Sequence, residues 1–195
     1  MQETIVEPGG EGGGPASFDE AGLTAAALSC GAAGSAMTDA AEVVFRPEFR
    51  GMCRDNRCGN FGRNWQCPPD VGEIDELIAG LKTRGRVMVF HFIGRLARAY
   101  DWKGMQAAAR DFSTLVLDLQ KKLGQISPAA KVLGAGPCLL CEKCACLTEE
   151  PCRHPGRAVS SLEAHGVDVA QLARLTGLKY NNGPETVTYF GAVFV

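Results

Sequence analysis

No stretch of this chain is apolar for the roughly 20 residues that a membrane span requires. The longest apolar run, residues 87–93 (VMVFHFI), has the length of a strand and carries His91. Neither sign of charge dominates: 20 Lys and Arg stand against 22 Asp and Glu, for a net charge of −2. Nucleic acid and acidic membranes both attract basic surfaces, so neither is expected as a partner. A secretory signal is not expected either, because Gln2-Glu3 sits where a basic segment should be and no apolar core follows. There is no phosphate loop: residues 9–14 are glycine-rich but no Lys-Ser/Thr follows and no strand precedes. No Ser/His/Asp pattern for nucleophilic catalysis stands out.

What is present is cysteine, nine in 195 residues. Hydrophobic residues at 46% and charged residues at 22% describe an ordinary soluble globular chain, long enough for one domain with a core. Without a signal for export, the cysteines are expected to be reduced thiols in the cytoplasm. Their distribution says more than their number. Five lie between Cys138 and Cys152, three between Cys53 and Cys67, and Cys30 stands alone. Disulfide frameworks spread their half-cystines to close loops; two tight knots read as metal ligands.

Periodicity around the knots predicts an α/β (α+β) domain, a mixed sheet flanked by helices, with two cysteine-rich metal-binding loops. Residues 1–17 are Gly-, Glu- and Pro-rich and are expected to form a disordered tail before a single domain over 18–195. Helices are expected over residues 18–30, from Ile74 to Leu81, over 104–123 and after Val169. Strands are expected over 35–38, 42–45, 86–94, 131–133 and 186–195. The first knot reads as a loop. Three capping boxes are expected at Asp70/Glu73, Ser160/Glu163 and Asp168/Gln171.

Cys138-Leu-Leu-Cys141-Glu-Lys-Cys144 has the C-x2-C-x2-C spacing with which ferredoxin-type loops grip a 4Fe-4S cluster. Three thiolates must reach three corners of one compact cluster, and two intervening residues supply the turn. A ferredoxin would place its fourth cysteine three residues on, before a proline; this chain offers Cys146 and Cys152 instead, with Pro155 beyond Cys152. Zinc is the rival metal, since C-x2-C pairs also build tetrahedral sites. The first knot, Cys53-x4-Cys58-x8-Cys67-Pro-Pro, supplies three thiolates and leaves three completions open. Cys146 is one candidate fourth ligand. An iron left open to a ligand is another. In the third, Cys67 is shared with the second knot, as the cysteine before proline is in two-cluster ferredoxins. Arg54, Arg57 and Arg63 either lower the thiol pKa values and offset cluster charge or form a solvated loop face. His154 is expected beside the ligands with Arg153 and Arg157, His91 as a satisfied core residue, and His165 at the surface or between helices. Trp65 is expected to pack under the first loop.

The runs Cys53…Cys58…Phe61-Gly62…Trp65-Gln-Cys67-Pro-Pro69, Gly134-Ala-Gly-Pro-Cys138-Leu-Leu-Cys141-Glu-Lys-Cys144 and Pro151-Cys152-Arg-His-Pro155 resemble one family, domain of unknown function two-two-eight-four, described as predicted metal-binding proteins. The stretch from Ser160 to Val169 (SSLEAHGVDV) is also similar to that family. The resemblance implies a ligand set of Cys53, Cys58, Cys67, Cys138, Cys141, Cys144 and Cys152. It implies no reaction. The expected function is therefore an iron–sulfur protein with one or two 4Fe-4S clusters that carries electrons to a redox partner protein. The alternatives are an enzyme with an open iron at the Cys53/Cys58/Cys67 site and a zinc-stabilised binding module.

Overall fold

The computed structural model describes residues 19–195; the expected tail and Phe18 lie outside them. Among the described residues five α-helices surround one four-stranded sheet. The strands are β1 (Gly34–Asp39), β2 (Arg86–Arg95), β3 (Lys131–Leu133) and β4 (Thr186–Phe194), in the order β1-β2-β4-β3. All three pairings are antiparallel. No helix is long and apolar enough to cross a membrane.

The central strand explains the apolar run in the sequence. Side chains alternate across a strand, and both faces of β2 are covered. Val87 and Val89 join Phe190, Ala192 and Phe194 of β4 in one core, against Leu81 and Leu172. Met88 and Phe90 face the other way and pack with Leu23, Phe112, Leu115, Leu119 and Leu123. The first core is roofed by α3 (Ile74–Lys82) and α5 (Val169–Thr176), the second by α1 (Glu20–Ser29) and α4 (Trp102–Ile126). Helix α4 begins two residues earlier than the expected 104, because the Asp101 side chain accepts a hydrogen bond from the Gly104 amide. Helix α5 is capped as expected, with Asp168 accepting from the Gln171 amide at 3.0 Å.

Several expectations are corrected. Residues 42–45 form no strand: Ala40–Glu42 winds into a 3-10 turn, and only Phe45 bridges, to Val167. The first knot is not all loop, since α2 (Phe49–Arg54) carries Cys53. Asp70 does not cap α3; Gly72 turns with a φ of 116° and the helix starts after Glu73, which makes no side-chain cap. At 160–163 the cap moves by one residue: Ser161 Oγ accepts from the Ala164 amide, and a 3-10 turn follows, not an α-helix. His165 is not at the surface but 1% exposed. Its Nδ1 donates to the Ser161 carbonyl at 3.1 Å and lies 3.3 Å from Ser160 Oγ, leaving Nε2 buried without a partner. His91 is buried as expected, beside the Phe190 ring, but its Nδ1 has no partner either.

The register of β2 and β4 places Phe90 opposite Gly191, and the Phe90 ring occupies the space a side chain there would need. A Cβ at Gly191 would also come within 2.9 Å of the Leu133 carbonyl. Gly191→Ala is expected to destabilise by about 1–3 kcal/mol in denaturant titrations; an unchanged midpoint would contradict the packing. Burial, helped by the charges of Lys131 and Arg50, pulls the His165 imidazole down to about 4. The folded protein thus prefers neutral His165, whereas the unfolded chain protonates it near its ordinary value. Stability from this group is complete above roughly pH 6.5 and falls, by on the order of 3 kcal/mol, as pH drops toward the folded value. Titration of the imidazole by NMR near its ordinary pKa would refute this.

Candidate metal centre

Both cysteine loops are anchored at their bases by the same segment, residues 160–168. The second loop leaves the sheet at Gly134 and returns at Ser160. The Gly134 amide donates to the Ser160 carbonyl, and the Leu162 amide donates to the Gly134 carbonyl, both at 2.9 Å. The first loop is tied where it begins. Arg46 N donates to the Gly166 carbonyl, Asp168 N donates to the Val44 carbonyl at 3.0 Å, and Arg46 Nε pairs with Asp168 at 3.2 Å. Backbone excursions of this length without sheet partners must satisfy their polar groups otherwise, and here they satisfy each other. Asn64, 7% exposed, donates from Nδ2 to the Cys138 carbonyl at 3.0 Å, while its Oδ1 accepts from the Gln66 amide. Trp65, expected to pack under the first loop, is half-buried against the second, where its indole N–H donates to the Glu150 carbonyl.

The nine cysteines are free thiols. The structure sorts seven of them into two neighbouring sites. Cys138, Cys141, Cys144 and Cys152 line one narrow cavity with Asn64, Trp65 and His154; its free space is about 20 Å³, room for about one water. Cys53, Cys58 and Cys67 line a second, wider cavity of about 370 Å³ between the first loop and β4. Cys146 lines neither; burial and the neighbouring Cys144 push its thiol up to about 11. Cys30 is remote from both sites and packs against the α1/α4 core. Among the described residues, no three or more His, Cys, Asp or Glu side chains converge as a group ready to hold a metal ion.

The electrostatics follow from crowding. Burial pushes the Cys67 thiol up to about 12, and the neighbouring sulfurs of Cys58, Cys53, Cys138 and Cys144 push the same way. Cys67 therefore stands at the boundary of the two knots. Burial also raises Cys53, opposed by the Arg50 guanidinium. Arg54, Arg57 and Arg63 are exposed, so the solvated-face reading applies to them, and the cation acting on the thiols is Arg50. Cys138 is raised by burial against the amides of Leu140 and Val159. Cys144 goes the other way: burial opposes it, but amides of Cys146, Trp65 and Ala145 and the Cys146 thiol favour its thiolate. The Trp65 amide lies 3.5 Å from Cys144 Sγ, and the His154 amide 3.4 Å from Cys152 Sγ. His154 thus contributes its backbone beside the ligand positions.

Residues 36–195 match the family described as "Predicted metal-binding protein (DUF2284)". The chain belongs to this family. No curated protein and no solved structure matches it. The DUF2284 region includes every cysteine of both knots and the bracing segment 160–168. Its metal-binding description suits the donor set found here: four thiols around one cavity, two of them receiving backbone N–H bonds that stabilise a thiolate. The backbone from Cys138 to Cys144 is irregular and belongs to no helix or strand.

The reading of the sequence missed Asn64 and Glu163 as site residues. Asn64 carried no signal beyond turn propensity. Glu163 read as a cap, yet it lines the wider cavity and its charge acts on Cys53. Asn64→Ala strands the buried Cys138 carbonyl and is expected to cost about 1–3 kcal/mol. Metal content should fall at the second knot, although no cysteine is lost. Wild-type stability and metal retention in this variant would show that Asn64 does not couple the loops.

Proposed function

We propose that the protein is an iron–sulfur redox protein with two centres, a closed one at Cys138, Cys141, Cys144 and Cys152 and an open one at Cys53, Cys58 and Cys67. The observation that carries this reading is the division of seven cysteines between two adjoining cavities, four on the narrow one and three on the wide one. Iron–sulfur clusters supply one-electron chemistry when bound. The chain's own contribution is to present four thiols, two of them receiving amide N–H bonds, to set Cys67 between the centres, and to keep ligand-sized space in front of the three-cysteine knot. A cavity of about 370 Å³ lies within the usual range of small-molecule sites, roughly 300–1,000 Å³. This supports activation of a small molecule at the first knot, with electrons passing through the second. Exposed Leu139 and Leu147 flank the closed centre and offer an apolar contact for a redox partner protein in the cytoplasm.

Zinc at the four-cysteine knot is the second reading, and the narrowness of that cavity favours it. Zinc binds thiolates at about 2.3 Å and needs far less room than a cube.

Anaerobic purification with metal, sulfide and visible-absorption analysis decides between them. Two clusters correspond to about eight iron atoms per chain. Cys67→Ser is expected to remove the signature of one cluster and keep the other, and Cys146→Ser to keep both. A colourless protein holding zinc and no labile sulfide would sink the iron–sulfur proposal.

A further inference from the structure

The wide cavity contains a carboxylate that the cysteine reading leaves unused. Glu163 lines it together with the three thiols, and among the described residues no ion pair includes this side chain. Burial pushes its carboxyl up, against the pull of its own amide and the Ser161 hydroxyl. Arg50 does not neutralise it; that guanidinium donates through Nη2 to the Ala164 carbonyl at 3.2 Å. Aromatic residues share the lining, among them Phe61, Tyr180 and Phe190. Tyr180 and Phe190 stack with centroids 5.7 Å apart and planes 18° from parallel, and Tyr180, 57% exposed, stands at the mouth.

We propose that this cavity binds a small organic molecule carrying an ammonium group on an apolar body, with Glu163 receiving the ammonium. Two features converge on that class. Glu163 is partly buried and its carboxylate has no cation partner among the described residues, so a ligand that supplies the charge offsets part of its desolvation. Aromatic faces attract the same group through their quadrupoles, and most strongly where water is excluded. An anionic ligand meets the reverse: repulsion from Glu163. The proposal names the ligand class for the open centre and rests on that reading for the role of the three thiols, but Glu163 can be tested separately.

Calorimetry on the anaerobically purified, metal-loaded chain, with benzylamine, benzyl alcohol and benzoate as probes, provides the test. Benzylamine is expected to bind saturably, benzyl alcohol more weakly, and benzoate not at all. Glu163→Gln is expected to weaken benzylamine at least tenfold and to narrow its advantage over benzyl alcohol. Tyr180→Ala, at an exposed position, is expected to weaken benzylamine several-fold. No binding of benzylamine, or an affinity unchanged by Glu163→Gln, would overturn the proposal. Should Glu163→Gln fail to fold, equal affinity of the unaltered chain for benzylamine and benzoate would overturn it as well. Metal analysis of the same samples separates the two claims. Protein with one cluster that still binds benzylamine through Glu163 upholds the ammonium site and overturns the open cluster. Protein with both clusters whose benzylamine affinity ignores Glu163 overturns the ammonium site alone.

Discussion

Nine residues, 160–168, hold the metal-binding half of this protein to its sheet. They bridge to Gly134 on one side and to Val44, Phe45 and Arg46 on the other. Each cysteine loop therefore starts from a fixed point, although neither loop is itself part of the sheet. Gly166 is needed in this brace: its φ is 71°, and a side chain there would meet the Arg46 carbonyl and Ile78 at 3.2 Å. His165 fills the space behind the brace as a neutral imidazole, with Nδ1 hydrogen-bonded back into the same turn. Glu163 is presented to the cavity by that turn. Structure and chemistry are thus carried by one short segment.

The second constraint is the crowding of sulfur. Burial raises the Cys67 thiol first, and the neighbouring sulfurs of both knots push the same way. A bound cation relieves the same repulsion, so metal binding and proton release are coupled in such a site. The chain softens the cost locally, by amide N–H groups at Cys144 and Cys152 and by Arg50 at Cys53. The Cys146 thiol belongs with these donors, since it serves Cys144. That arrangement gives a cysteine outside both cavities a physical role.

The two cavities differ in ways that suit different work. The four-thiol cavity is narrow, enclosed by Trp65 and pinned by Asn64. The three-thiol cavity is wide, lined by aromatic rings and one carboxylate. Under the proposed two-centre reading, the narrow cavity would carry electrons and the wide one would receive the ligand. The antiparallel sheet makes this possible at low cost, because β3 and β4 deliver Gly134 and Phe190 to the same end of the molecule.

Much of this was readable in the residue order. The apolar run of β2, the stripe of α4, the Asp168 cap and the short β3 all follow from local spacing, which acts over a few residues and is written directly in the chain. The grouping of Cys138, Cys141 and Cys144 is local in the same sense, and the chain's membership of a metal-binding family was legible from its two cysteine runs. Long-range pairing was not. Nothing near Asn64 announces that its amide meets Cys138, 74 residues away. The Ser160 segment has the pattern of a helix cap, and only the bridge to Gly134 turns it into a brace and aims Glu163 at the first knot. The sequence by itself determined which residues are able to bind metal and that they come in two sets. The tertiary structure decided which set faces open space and what stands opposite it, because those depend on contacts between segments whose separation in the chain no local spacing encodes.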